Sequence, residues 1–177
     1  PSQIFASGTV LDSSRLRWLL SERVGVATSS VHAMIVGEHG DSEFPLWSQA
    51  RIGPVPILEW ALENGHPLDA AELATIAEDV KTAAYRVIAG KGATNYAIGL
   101  TGARLTEALM SPTRTVFPLS SVLDGWHGLH DVALSVPTLV SSKGVERVLD
   151  VPLDDSELAK LESSAGKLRE TLSSLGF

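Results

Sequence analysis

Residues 115–151 read as strand following strand, cut by turn signals at Asp124-Gly125, Pro137 and Lys143-Gly144. Helical periodicity lies on either side of this stretch and not within it. Helices and strands therefore come in runs and not in βαβ alternation. That order predicts an α+β domain, with antiparallel sheets packed against long helices. No Gly-x-Gly-x-x-Gly follows a strand near the start, so the chain shows no dinucleotide fold of its own.

The remaining elements follow from apolar spacing. Residues 12–24 predict a helix with Leu16, Leu19 and Leu20 on one side, capped by Asp12 or a following serine. Residues 31–36 (VHAMIV) predict one strand, whose alternation puts His32 on the same face as Met34 and Val36. A polar, glycine-marked loop over 37–45 follows, and 46–52 predicts a returning strand ended by Gly53-Pro54. Residues 69–89 predict a helix from Leu73, Ile76, Val80, Ala84 and Val87, broken by Gly90-Lys91-Gly92. A further helix over 94–110 is expected to be irregular at Gly99 and Gly102. In the last helix, 155–175, Leu158, Leu161, Ala165, Leu168, Leu172 and Leu175 make one apolar stripe, which must lie on the body of the protein or on a partner.

Composition removes several classes of function. The 177 residues hold 44% hydrophobic and 20% charged residues, an ordinary globular balance. Lys plus Arg is 14 and Asp plus Glu is 21, a net charge of -7. That argues against nucleic acid, which needs a basic face. The absence of cysteine excludes disulfides and thiolate chemistry and removes the usual structural zinc ligands. No signal peptide and no membrane span are expected. A start at Pro1, with methionine only at 34 and 110, reads as a processed chain or a piece of a longer one.

The strongest local signal for chemistry is Gly37-Glu38-His39-Gly40-Asp41-Ser42. A histidine between glycines, just after an apolar strand, is presented by the backbone and open to a ligand. Its imidazole can give and take a proton near neutrality. The plainer alternative is a histidine decorating a hairpin turn. The second signal is Asp12-Ser13-Ser14-Arg15, where i and i+3 share a helix face. The carboxylate could orient a histidine, and the guanidinium could hold a substrate carboxylate by two parallel hydrogen bonds. The plainer alternative is a capping aspartate and a solvated arginine. Arg17 points about 200° away from Arg15, so the two cannot serve one site.

Other features are set aside. Gly90-Lys91-Gly92-Ala93-Thr94 lacks the first glycine of a phosphate loop. His127 and His130, beside Asp124 and Asp131, lack a helical metal-binding frame and read as surface residues. His66 precedes a proline and reads as exposed. The tryptophans at 18, 47, 60 and 126 share no spacing and read as core or interface.

Taken together, Ala6-Ser7-Gly8-Thr9-Val10-Leu11-Asp12-Ser13-Ser14-Arg15-Leu16-Arg17, then Gly37-Glu38-His39-Gly40-Asp41-Ser42-Glu43, then Lys91-Gly92-Ala93-Thr94-Asn95-Tyr96-Ala97-Ile98-Gly99 resemble the bacterial L-lactate dehydrogenases. Order and intervals agree, and the likeness runs over essentially the whole chain. It implies that residues 1–177 are the substrate-binding, catalytic C-terminal domain, without the amino-terminal NAD-binding Rossmann half. It implies conversion between pyruvate and L-lactate with NAD, and that the isolated chain is inactive. His39 would be the proton donor and acceptor, Asp12 its carboxylate partner and Arg15 the clamp on the substrate carboxylate. Thr94 would line the side-chain end of the substrate pocket, and Ser7 and Ile98 would touch the nicotinamide end of NAD. The family usually has glycine where Ala6 stands. Arg17 and His32 match the positions that bind fructose 1,6-bisphosphate as activator. The resemblance further implies a homotetramer, a cytoplasmic location, and neither metal, nucleic acid nor membrane as partner. Two other readings stand beside it: a related L-2-hydroxyacid dehydrogenase for larger side chains, and a non-catalytic binding or assembly module.

Overall fold

The computed structural model describes residues 2–60 and 68–176; His66 lies outside them. Helix α1 (Val10–Val24) starts two residues before the expected position, with Thr9 at its N-cap. No side chain caps it in the usual way, because the Thr9 hydroxyl donates to the Ile35 carbonyl instead. Asp12 therefore lies inside the first turn, where the helix dipole favours a negative charge.

The segment 31–36 is not one strand. β1 (Val31–His32) and β2 (Ile35–Val36) belong to different sheets. β2 pairs antiparallel with β3 (Phe44–Pro45), while β1 pairs with β4 (Arg51–Ile52), which continues to β5 (Val55–Pro56). The cause is α1, which takes backbone groups that a neighbouring strand would otherwise use. The Ile35 N–H donates to Ser13 Oγ, and the Ala33 carbonyl accepts from Arg17. Alternation fails with the strand: Val36 is buried and His32 exposed. The expected strand over 46–52 is also short, because a tight helical turn at Trp47–Gln49 precedes β4.

Helix α2 (Ala70–Lys91) opens with a reciprocal Asp69–Glu72 capping box and closes at Gly92 in the left-handed region. The stretch 90–94 is thus a helix end and not a phosphate loop. Helix α3 (Tyr96–Met110) runs unbroken through Gly99 and Gly102, against the irregularity expected there. The Gly99 N–H keeps its helical bond to Asn95, and nothing crowds either glycine.

The long strand region forms one antiparallel sheet. β6 (Thr115–Trp126) pairs along its length with β7 (Leu129–Ser141), which pairs with β8 (Gly144–Val148). Helix α4 (Asp155–Ser174) covers this sheet, with Leu161 and Ala165 fully buried among Leu123, Trp126, Val132 and Leu134. Only the first part of its stripe docks, since Leu172 is 39% and Leu175 67% exposed. A second core packs Leu16 and Leu20 of α1 on Leu73, Ile76 and Val80 of α2. A third joins Leu105 and Ala108 of α3 to Phe117 and Leu119 of β6. Trp126 is buried, Trp47 and Trp60 pack on the second core, and Trp18 is exposed.

Two bridges fasten the loops that matter below to the large sheet. Ala6 pairs with Ser120 of β6, and Gly37 pairs with Ser135 of β7. Ala6 is exposed, so its methyl group meets no crowding there.

The unequal docking of α4 sets an expectation. Leu161→Ala should cost about 2–5 kcal/mol through lost burial and the cavity left behind. Leu172→Ala should cost less than half of that. Chemical denaturation of both variants checks it; equal losses would mean that the whole stripe is covered.

Candidate functional site

The site is built on three supports. The first is α1, seated by the bonds of Thr9 and Ser13 to the Ile35 backbone. Its first turn aims Asp12 inward, where the residue is only 2% exposed. The second is Gly37, at the end of β2, with φ +96. A Cβ there would lie 2.9 Å from Ser164 Oγ, so glycine is required for both conformation and space. The third is α4, where Ser164 Oγ accepts from the Glu38 N–H at 2.7 Å and lies 3.1 Å from Ser42 Oγ. The Ser42 hydroxyl also donates to the Glu38 carboxylate, which closes the loop on itself.

His39 stands at the tip of that loop, with its side chain 61% exposed. Its Nδ1 is 2.9 Å from Asp12 Oδ2 and 3.4 Å from Glu43 Oε2. The other Asp12 oxygen, Oδ1, accepts from Arg15 Nη1 at 2.8 Å. Asp12 thus lies between a guanidinium and an imidazole; its buried Oδ2 accepts no well-aligned hydrogen bond among the described residues and meets His39 Nδ1 as an ion-pair contact. Hydrogen-bonding contact with Asp12, then with Glu43, pushes the His39 pKa up to about 10, against the opposing effect of burial. Glu43 is itself pushed above the usual carboxylate range, chiefly by burial, with His39 pulling the other way. The ring is therefore an imidazolium at neutral pH. With Nδ1 taken up by carboxylates, Nε2 is left to meet a ligand.

An imidazolium donor next to an arginine fits a small molecule that carries a carboxylate beside a carbonyl or hydroxyl oxygen. The guanidinium would hold the first group, and the imidazolium would donate to the second. Asp12, His39 and Glu43 also bring possible metal-ligand atoms within 4.8 Å of one another. Their mutual ion pairing already accounts for that arrangement.

The other expected residues divide. Ser7 lies in the turn before α1, its carbonyl accepting from the Val10 N–H. Thr94 and Ile98 are exposed at the entry to α3. None of the three is bonded to the His39 cluster. Arg17 and His32 come together, lining a cavity of about 720 Å³ with Arg104, Gln49 and Phe117. The Arg17 guanidinium is fixed there by the Ala33 carbonyl and Ser14 Oγ, both at 3.1 Å. Burial, and then Arg104, lowers its pKa from the ordinary arginine value. Arg15 and Arg17 indeed serve different surroundings. His127 Nε2 donates to the Val151 carbonyl at 2.9 Å, and His130 pairs with the exposed Asp124 at 3.1 Å.

Sequence reasoning overlooked Glu43, Ser164 and Arg104. Glu43, four residues after His39 on a tight loop, has in sequence only the look of an ordinary acidic loop residue. Ser164 carried a fainter signal, a serine beside Leu161 and Ala165 on the buried face of α4.

The raised His39 pKa fixes the sign of a pH effect. The folded value of about 10 exceeds the ordinary 6.5, so its stabilisation is complete below pH 6.5 and is lost as pH rises towards 10. The thermal midpoint should fall over that interval, and less in His39→Gln. Parallel falls in both proteins would contradict the pairing.

Residues 9–175 match the family described as lactate/malate dehydrogenase, alpha/beta C-terminal domain. The chain is 50% identical over 177 residues to an L-lactate dehydrogenase of Bifidobacterium animalis subsp. lactis, covering 99% of this chain and 55% of that protein. It is 41% identical to one of Lacticaseibacillus casei, covering 97% of this chain and 52% of that protein. The crystal structure of minor L-lactate dehydrogenase from Enterococcus mundtii superposes with a TM-score of 0.92 at 35% identity, over 98% of this chain and 55% of that one. The chain therefore spans about half the length of the relatives it matches.

Proposed function

We propose that this chain, which belongs to the lactate/malate dehydrogenase family through its alpha/beta C-terminal domain, is the substrate-binding and catalytic half of an NAD-dependent L-lactate dehydrogenase. The observation that carries the proposal is the Arg15–Asp12–His39 arrangement, with 2.8 Å and 2.9 Å contacts converging on one buried carboxylate. The whole enzyme would be cytoplasmic and would act on pyruvate and L-lactate. Residues 1–177 would supply the acid, the base and the anion clamp, and a preceding Rossmann half would hold the cofactor. The chain on its own is accordingly expected to be inactive.

In this reading Ser7 and Ile98 would meet the nicotinamide end of NAD. Ile98 is exposed at the start of α3, on the opposite side of the helix from Tyr96 and Leu100. When bound, NADH supplies the hydride. Arg15 would hold the pyruvate carboxylate and fix its orientation. Protonated His39 would donate from Nε2 to the ketone oxygen and polarise the carbonyl. It then passes that proton to the oxygen as negative charge develops there. Asp12 keeps the ring charged before the transfer and correctly turned throughout. In lactate oxidation His39 must begin neutral, and it acts as the base. Thr94 would border the methyl group of the substrate and set the tolerance for longer side chains.

In the whole enzyme, His39→Ala should lower kcat for pyruvate reduction by about 10²–10⁴-fold. Arg15→Lys should chiefly raise the KM for pyruvate, because an ammonium cannot make two parallel bonds to a carboxylate. Steady-state kinetics at saturating NADH tests both; near-native constants in both variants would overturn the site assignment.

The cavity shared by Arg17 and His32 supports a second role, activation by fructose 1,6-bisphosphate in a homotetramer. Clustered cations repel, and a bisphosphate relieves that repulsion most where two subunits bring their clusters together. Wild-type pyruvate saturation should tighten with the bisphosphate, and Arg17→Gln should abolish the response. Identical wild-type curves with and without the ligand would remove this role and leave the catalytic one.

A further inference from the structure

We propose that Glu43 is a positioning residue for His39, the second carboxylate on Nδ1, which with Asp12 fixes the direction of the ring and keeps it a proton donor. Its catalytic consequence rests on the reading of His39 given above; its effect on the ring itself does not. Asp12 alone is a divided partner, because Oδ1 is committed to Arg15 and only Oδ2 reaches His39. Two cations thus share one negative charge. Glu43 supplies the other, and with both carboxylates ionised the four groups are neutral when His39 is protonated.

The Glu43 side chain is 5% exposed, and His39 is its one ion-pair partner among the described residues. The tight loop between them, with the Glu43 N–H donating to the Gly40 carbonyl, turns the carboxylate back under the ring. Other charges face it from each neighbouring element. Arg15 stands on α1, Glu78 and Lys81 on α2, and Asp154 and Lys160 by α4, the last four lining a cavity of about 550 Å³ with Glu43. Those four cancel in sign, which leaves Asp12 and Glu43 as the charges that decide the state of His39.

The test is an NMR titration of the histidine rings in the full chain, wild type against Glu43→Gln. The His39 midpoint should fall by at least about one pH unit, tenfold in proton affinity. His127 and His130 should not move, and Glu43→Asp should recover part of the loss. The wild-type protein gives an independent readout that needs no variant: the Glu43 carboxyl carbon should show a step at the His39 midpoint. An unmoved His39 midpoint, or no such step, overturns the proposal. In the whole enzyme the alkaline limb of kcat/KM for pyruvate reduction should move down with the midpoint. A moved midpoint in a protein that does not reduce pyruvate would keep the role of Glu43 and remove the lactate dehydrogenase reading.

Discussion

A carboxylate that is 2% exposed must be matched by positive charge or it destabilises the fold. Asp12 is matched twice, by Arg15 on its own helix and by His39 from a loop distant in sequence. Removing either partner would leave that buried charge matched by one cation instead of two. The position of Asp12 therefore dictates where the loop of His39 must lie. The helix start contributes as well, because a negative charge in the first turn meets the positive end of the dipole.

Everything around this carboxylate holds α1 and the loop in register. Ile35 is gripped by Thr9 and Ser13, so β2 leaves α1 at a fixed point. Gly37 then bridges to Ser135 and passes under Ser164. Helix α4 braces the exit of the loop too. Glu157, 3% exposed, accepts from both the N–H and the hydroxyl of Ser48 while closing its own capping box. The mobile chemistry of one imidazole is thus carried by a frame of two helices and a long antiparallel hairpin, as precise placement of a reacting group requires.

The sequence made the long elements legible because each declares itself locally. The spacing of Leu73, Ile76 and Val80, and of Leu161, Ala165 and Leu168, marks two helices, and the turn glycines mark the strands of the large sheet. The segment 31–36 was misread because α1, a tertiary neighbour, takes the backbone groups of Ala33 and Ile35. No local pattern reports that. Asp12, Arg15 and His39 were legible as residue types on a helix and a glycine loop, and their convergence follows from the fold. Glu43 was hidden by its ordinary look as an acidic loop residue; only burial against His39 gives it meaning. Ser164 could not be reached from the motif, since it is brought to Glu38 from the far end of the chain.

The central claim is that Arg15 and His39 face one ligand, held in place by Asp12. A crystal structure of the whole enzyme with NADH and oxamate, an unreactive analogue of pyruvate, tests it most directly. The account predicts the oxamate carboxylate on two Arg15 nitrogens and its amide carbonyl oxygen on His39 Nε2, all at about 2.7–2.9 Å, with Nδ1 still on Asp12. Oxamate bound elsewhere, or a His39 ring turned away from Asp12, would contradict it.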